Sequence, residues 1–220
     1  MLTWFQETGE VYQGQFGEFT ITTEDRRGVV LYRAALTIAA ITFGLGAVLT
    51  LQDNHGTNFD MLLFGLFALF CAGLGVSLWT IHIYLKPLHL FLQICWAIGS
   101  LSALGLSVGS VQPLTAALYA PYSWGLVGVG FVFVALTGLF VKEAFCFNRW
   151  QAKLLILVVP SLLLGHWLGL LPVVSEKTLL GIWASIFLWF VLDKDFQSIP
   201  PDVGDKTVFD YLKQSKQLPS

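Results

Sequence analysis

Residues 59–81 of the chain read FDMLLFGLFALFCAGLGVSLWTI, a run in which Asp60 is the only charged residue. A helix that rises ~1.5 Å per residue needs roughly 20 apolar residues to cross a hydrocarbon core of about 30 Å. This run is therefore long enough to cross a bilayer as one helix. Five further runs have a similar character, and they lie at about 30–51, 88–110, 122–141, 154–171 and 178–192. The sequence predicts an all-α, polytopic membrane protein with six transmembrane helices.

The composition of the whole chain agrees with a membrane protein. Of its 220 residues, 55% are hydrophobic and 12% are charged, and the mean hydropathy is +0.71. Soluble domains carry roughly 25% charged residues. The net charge of −2 is too small to indicate a nucleic-acid partner, so the predicted partners are the lipid bilayer and other membrane proteins.

The six runs divide the chain into three parts. Residues 1–28 are predicted to form a cytoplasmic surface segment, residues 29–192 the transmembrane domain, and residues 193–220 a cytoplasmic tail. In the tail, a short amphipathic helix is expected, because three apolar residues share one helical face: Val208, Phe209 and Leu212.

The N-terminal segment has a pattern of its own. Apolar residues alternate with glycine and polar residues from Val11 to Ile21, which indicates a short hairpin or extended ribbon. Thr22 followed by Asp25 is typical of a capping box, so a helix is expected to start near Thr23 and to continue into the first span.

The distribution of positive charge predicts the orientation. Eleven of the twelve lysine and arginine residues fall on one side of the predicted spans, and Lys177 alone falls on the other. The positive-inside rule then places both termini in the cytoplasm or its stromal equivalent. Because the polar residues 1–28 precede the first span, no cleavable signal peptide is visible, and the first span is expected to act as its own insertion signal.

Glycine pairs at GxxxG spacing occur in two spans, as Gly105/Gly109 and Gly165/Gly169. Small residues at this spacing let helices approach closely. We expect these pairs to serve packing within the bundle, with dimerisation as the alternative.

The sequence predicts that the protein is not an enzyme. An ionisable residue deep in a membrane marks a functional site by default, and these spans contain almost none. There is no HExxH, no GxSxG and no phosphate-binding loop, and the three cysteines form no CxxC pair.

His166 is the candidate residue for binding a cofactor. A neutral imidazole can ligate haem iron or the magnesium of a chlorophyll. A histidine beside Trp167 equally fits a hydrogen bond to a neighbouring helix or headgroup. No metal site and no cofactor is evident, and chlorophyll or haem at His166 stays an alternative.

The stretch GLFVKEAFCFNRW, residues 138–150, places Lys142 and Glu143 at the end of the fourth span. Adjacent residues on a helix point about 100° apart, so these two are not expected to pair with each other. Glu143 is expected instead to reach Arg149 or the group formed by Arg26, Arg27 and Arg33. The prediction is a structural latch made from Glu143, Lys142, Arg149 and Arg33, with a catalytic or substrate-binding glutamate as the alternative.

Two stretches carry a resemblance, VYQGQFGEFTITTEDRRGVVLYR at 11–33 and TGLFVKEAFCF at 137–147. They resemble a family of uncharacterised integral membrane proteins of cyanobacteria and related photosynthetic lineages, over most of the chain. The resemblance implies a multi-pass protein of the plasma membrane or thylakoid, and it supplies no catalytic residue.

Three functions are consistent with the sequence. The first is a non-enzymatic packing or assembly partner of other membrane complexes, including photosynthetic ones. The second is a permease or channel for a small, weakly polar solute, whose path would need the hydroxyls of Ser100, Ser102, Ser107, Ser110, Thr37 and Thr42. The third is a pigment- or haem-binding membrane protein.

Overall fold

The computed structural model describes residues 10–14, 16–52, 56–83, 85–109 and 123–199, with residues 203, 205 and 207. Two strands are present, β1 (Val11–Gln13) and β2 (Glu18–Thr20). Six helices follow: α1 (Thr23–Leu51), α2 (Thr57–Thr80), α3 (Lys86–Gly109), α4 (Trp124–Phe147), α5 (Trp150–Trp167) and α6 (Val173–Asp195). The amphipathic helix predicted around Val208, Phe209 and Leu212 lies outside the described residues.

All six helices are long and apolar enough to cross a membrane, which confirms the predicted fold class. The sixth helix is longer than its predicted run of 178–192, because it begins at Val173 and continues to Asp195. Helix α1 has 29 residues and is about 43 Å long at ~1.5 Å per residue. Since this length exceeds a hydrocarbon core of about 30 Å, part of α1 extends beyond the core.

The start of α1 confirms the predicted hairpin and capping box. Strands β1 and β2 pair antiparallel, with Val11 opposite Thr20. Thr22 Oγ1 accepts a hydrogen bond from the Asp25 backbone N at 3.3 Å, and the Asp25 carboxylate accepts one from the Thr22 backbone N at 3.0 Å. These reciprocal bonds satisfy two backbone donors that a helix N-terminus otherwise leaves unpaired.

The six helices form a closed ring in chain order. Each helix packs against its neighbours in the sequence, and α6 packs against α1 to complete the ring. Helices α1, α3 and α5 begin at one end of the bundle, where α2, α4 and α6 end. We call this end the terminal face, because it also carries the hairpin and the segment that follows α6.

Aromatic side chains from four helices fill the centre of the ring. The ring centroids of Phe43 and Trp183 are 4.4 Å apart, those of Phe133 and Trp183 are 5.2 Å apart, and those of Phe70 and Phe133 are 5.7 Å apart. Trp183 and Phe70 are fully buried. Aromatic pairs at these separations attract one another beyond their buried area.

Close helix contacts depend on glycines other than the predicted pairs. A Cβ on Gly73 would lie 2.7 Å from the Ala35 carbonyl oxygen, and one on Gly99 would lie 2.4 Å from the Val132 backbone N. These glycines allow α2 to approach α1 and α3 to approach α4.

Packing within the bundle, expected for the two GxxxG pairs, is wrong at Gly105, and the alternative of dimerisation stays a prediction. A Cβ on Gly105 would have no heavy atom within 4 Å. Gly169 follows the end of α5 with φ +64°, and its N–H donates to the His166 carbonyl in a C-terminal turn. Spacing alone could not show that Gly165 and Gly169 end a helix instead of packing against another one.

Candidate functional site

Two lysines of the terminal face converge on Glu143, whose side chain is 0% exposed. Its Oε1 accepts hydrogen bonds from Tyr32 Oη at 2.9 Å and from Lys142 Nζ at 3.1 Å. Its Oε2 accepts one from Lys194 Nζ at 2.6 Å. We call Glu143, Tyr32, Lys142 and Lys194 the Glu143 cluster. The cluster joins α1, α4 and α6 through one carboxylate.

The local fold of α4 fixes where this carboxylate points. Helix α4 ends at Phe147. The next residue, Asn148, caps the helix in a left-handed conformation with φ 52°. Asparagine tolerates this conformation better than most residues. Glu143 therefore lies in the second-last turn of α4, on the face that packs into the bundle.

The expectation that Lys142 and Glu143 do not pair is wrong. Their Nζ and Oε1 atoms are 3.1 Å apart, and the Lys142 side chain is only 13% exposed. The Cα–Cβ bonds of neighbours on a helix do diverge, but the four-carbon stem of lysine can fold back across that angle.

Both lysines also contact the aromatic ring of Phe147. Lys194 Nζ lies 3.7 Å from the centroid of its ring, and Lys142 Nζ lies 4.7 Å from it. A cation above an aromatic face is attracted to it electrostatically. The ring and the carboxylate together hold two ammonium groups at one place.

Arg149 does not contact Glu143, contrary to the expected latch. It is the N-cap residue of α5, and its guanidinium pairs with the Asp193 carboxylate of α6. Gln151 Nε2 donates to the same carboxylate at 3.2 Å. The turn of two residues between α4 and α5 directs Arg149 toward α6, so it stabilises a separate contact.

Arg33 is buried, with 5% of its surface exposed, but it does not bond to Glu143 either. Its guanidinium donates to the backbone carbonyls of Asp195, Gln197 and Ser198 at 3.3, 2.6 and 3.2 Å. The Asp195 carboxylate accepts a hydrogen bond from Thr37 Oγ1 at 2.9 Å. Arg33 thus binds the segment after α6 to α1.

We expect Arg33→Gln to release that segment. Glutamine is uncharged and cannot donate to three carbonyls at once. Hydrogen bonds from charged donors are also stronger than those from neutral donors. Chymotrypsin cleavage at Phe196 should become about tenfold faster, because cleavage requires local opening of the backbone. The measurement is limited proteolysis followed by mass spectrometry.

Arg27→Gln is the matched control for this change, because Arg27 is exposed on the first turns of α1. Equal cleavage rates in Arg33→Gln and the wild type would show that these hydrogen bonds do not hold the segment.

A small pocket lies between the Glu143 cluster and the segment after α6. Its basic lining consists of Arg33, Lys142, Lys194 and the imidazole of His82, and its apolar lining includes Val29, Ile81 and Val203. The volume of about 40 Å³ is enough for roughly three water molecules. We call it the Arg33 pocket.

His166 lies away from this site, at the opposite end of the bundle. Its Nδ1 is 2.8 Å from Glu176 Oε1, across the connection between α5 and α6. This contact agrees with the alternative that the imidazole bonds to a neighbouring helix. Whether His166 also ligates a cofactor stays a prediction.

Sequence reasoning missed two members of the cluster, Tyr32 and Lys194. Tyr32 is next to Arg33 in the stretch 11–33 that carries the family resemblance, and this position could have indicated Tyr32 as a candidate. Lys194 was assigned to the tail, since helix α6 extends three residues past its predicted end.

The comparisons with known proteins give one match. The family described as Uncharacterized integral membrane protein (DUF2301) matches residues 76–211, which is more than half of the chain. The matched range contains Lys142, Glu143 and Lys194, and it covers the whole of α4 and α6. No curated protein and no solved structure matches the chain.

Proposed function

We propose that the chain, which belongs to the DUF2301 family of uncharacterised integral membrane proteins, is a non-enzymatic assembly partner of other membrane proteins. It is a multi-pass protein in contact with the bilayer. The proposal places the terminal face in the cytoplasm or its stromal equivalent, following the lysine and arginine distribution. It places the protein in the plasma membrane or thylakoid of a photosynthetic organism, following the resemblance of residues 11–33 and 137–147.

The observation that carries the proposal is the packing of the interior. Aromatic rings occupy the centre of the bundle, and the one fully buried carboxylate, among the described residues, is neutralised by two lysines at the terminal face. A catalytic or substrate-binding glutamate needs to be available to another molecule. Glu143 has both oxygens engaged by protein donors, which supports a structural role.

The outer surface of α2 offers a place for a partner helix. Gly65, Ala68 and Ala72 are exposed along one face, and a Cβ on Gly65 would have no heavy atom within 4 Å. Larger exposed residues, Met61 and Leu69, stand beside them. Small residues between larger ones form a groove in which a second transmembrane helix can pack closely.

Four of the six hydroxyls that the permease alternative would need give it little support, because each is bonded within the protein. Thr42 donates to the Ile38 carbonyl, Ser102 to the Ile98 carbonyl and Ser107 to the Leu104 carbonyl, each within its own helix. Thr37 Oγ1 lies 2.9 Å from two acceptors, the Arg33 carbonyl of its own helix and the Asp195 carboxylate of α6. Hydroxyls bonded in this way are not offered to a passing solute. Ser110 lies outside the described residues.

The pigment- or haem-binding alternative depends on His166. The Nδ1 contact with Glu176 would orient the imidazole if its other nitrogen were a ligand. Visible absorption of the protein purified from its host would support this alternative, and a colourless folded preparation would count against it.

We expect Gly65→Leu to weaken the recovery of partner proteins without lowering the stability of the protein. The leucine would fill the groove on α2 but meet no atom within the bundle. Loss of a close helix contact should lower co-purification about tenfold or more. The measurement is affinity purification from native membranes in mild detergent, with quantification of the recovered membrane proteins.

Gly105→Leu is the matched control, since Gly105 is exposed on α3 and its Cβ position is also open. A wild-type protein recovered alone would contradict the proposed function. Equal recovery of partner proteins with Gly65→Leu and with Gly105→Leu would show that α2 is not the binding face.

A further inference from the structure

We propose that the Arg33 pocket binds a phosphate group, supplied either by an anionic phospholipid or by a soluble phosphorylated molecule. The inference goes beyond the proposed assembly role and does not depend on it. Lys142, Lys194 and Arg33 line the pocket, and each of these side chains is largely buried.

The charges at the pocket do not balance. Three cationic side chains line it, and Glu143 is the carboxylate that two of them contact. The Asp195 carboxylate lies behind Arg33 and accepts a hydrogen bond from Thr37. Among the described residues, positive charge is in excess even when both carboxylates are counted. Positive charge that is largely buried is costly unless it is compensated, and an anion in the pocket would compensate it.

The hydrogen-bond donors are also in surplus. A lysine ammonium has three N–H donors, and within the described residues Lys142 and Lys194 each place one hydrogen bond, on Glu143. Arg33 Nε is buried and has no acceptor among the described residues, although the other guanidinium nitrogens donate to carbonyls. Tyr32 Oη donates to Glu143, so it offers the pocket no strong acceptor.

A buried N–H without an acceptor is rare in folded proteins, and such a group points to a ligand or ordered water. A phosphate group presents several acceptor oxygens and a negative charge, which is the complement of this surface. The small volume of about 40 Å³ fits a single compact group and excludes a large organic ligand.

The position of the pocket permits both sources of phosphate. The exposed Trp150 and Trp189 of α5 and α6 lie at the same end of the bundle, as aromatic residues do at a membrane interface. Basic pockets between transmembrane helices at that depth bind anionic headgroups. Val203, from the segment after α6, also lines the pocket, so the lining is not made by the helices alone.

The test uses the full-length protein in mild detergent and three variants. Lys142→Gln removes one donor while Lys194 still neutralises Glu143, and Lys153→Gln makes the same change at an exposed lysine outside the pocket lining. Val203→Glu places a carboxylate in the lining of the pocket and leaves every residue of the Glu143 cluster unchanged. It therefore tests the site even if Lys142→Gln folds poorly.

One arm measures the thermal shift produced by inorganic phosphate against chloride at equal ionic strength. The other measures phosphatidylglycerol and phosphatidylcholine retained in native mass spectrometry from nanodiscs that contain both lipids. We expect binding by the wild type and Lys153→Gln in at least one arm. Lys142→Gln and Val203→Glu should bind phosphate or phosphatidylglycerol about tenfold more weakly. Lys142→Gln loses a charged hydrogen bond, and Val203→Glu fills the site with a carboxylate.

The two arms distinguish the source. Stabilisation by inorganic phosphate alone would identify a soluble phosphorylated ligand, whereas selective retention of phosphatidylglycerol alone would identify a lipid headgroup. A general salt effect on folding would persist in Lys142→Gln and Val203→Glu. Absence of binding in both arms, or equal binding by all four proteins, would overturn the proposal.

Discussion

Glu143→Gln is expected to destabilise the protein by about 3–5 kcal/mol, because it leaves two largely buried lysines without their counter-charge. Lys194 is 4% exposed, so water cannot replace the lost carboxylate. The measurement is the free energy of unfolding in mild detergent. Glu18→Gln is the control, since Glu18 is exposed on β2, and it should change stability by less than about 0.5 kcal/mol.

Double mutants separate the partners of Glu143. Glu143→Gln combined with Lys194→Met should cost less than the sum of the single changes, by about 0.5–3 kcal/mol, because their interaction can be lost only once. Glu143→Gln combined with Arg149→Gln should be additive, since Arg149 pairs with Asp193. Additivity for Lys194 as well would show that the Glu143 cluster is not a latch.

Gly99→Ala is expected to destabilise the protein by about 1–3 kcal/mol, because the new Cβ would lie 2.4 Å from the Val132 backbone N. The neighbour is main chain of α4, so no side-chain rotation can relieve the overlap. Helix α3 would have to move away from α4. Thermal unfolding in mild detergent measures the effect.

Gly105→Ala provides the comparison on the same helix. Its Cβ would meet no heavy atom within 4 Å, and alanine is favoured over glycine in a helix by roughly 1 kcal/mol. This change should be neutral or stabilising. Equal destabilisation by the two substitutions would mean that the contact at Gly99 is not close in the folded protein.

The number of helices could be predicted from sequence because each span must be apolar over its whole length. This requirement is strong and local. It also explains the error at the last helix, where polar residues at both ends obscured its true length. Glu176 stands in the first turn of α6 and Lys194 in its last turn, so hydropathy placed both outside the span.

The partners of Glu143 could not be predicted in the same way. Tyr32 and Lys194 are 111 and 51 residues from it in the chain, and only the ring arrangement of the helices brings them together. Hydropathy does not determine which helices are neighbours. The pairing with Lys142 was missed for a different reason, since helical geometry fixes the Cβ directions but not the end of a flexible side chain.

Closure of the ring in chain order has a consequence for biosynthesis. Domains are made from the N-terminus, so α1 to α5 can pack sequentially against the helix made just before. The contact between α1 and α6 joins the two ends of the series and has to wait for α6. Lys194 reaches Glu143 from the last turn of that helix. The carboxylate therefore enters the membrane with Tyr32 and Lys142 as its available partners, and it acquires its shortest ion pair only as the final helix arrives.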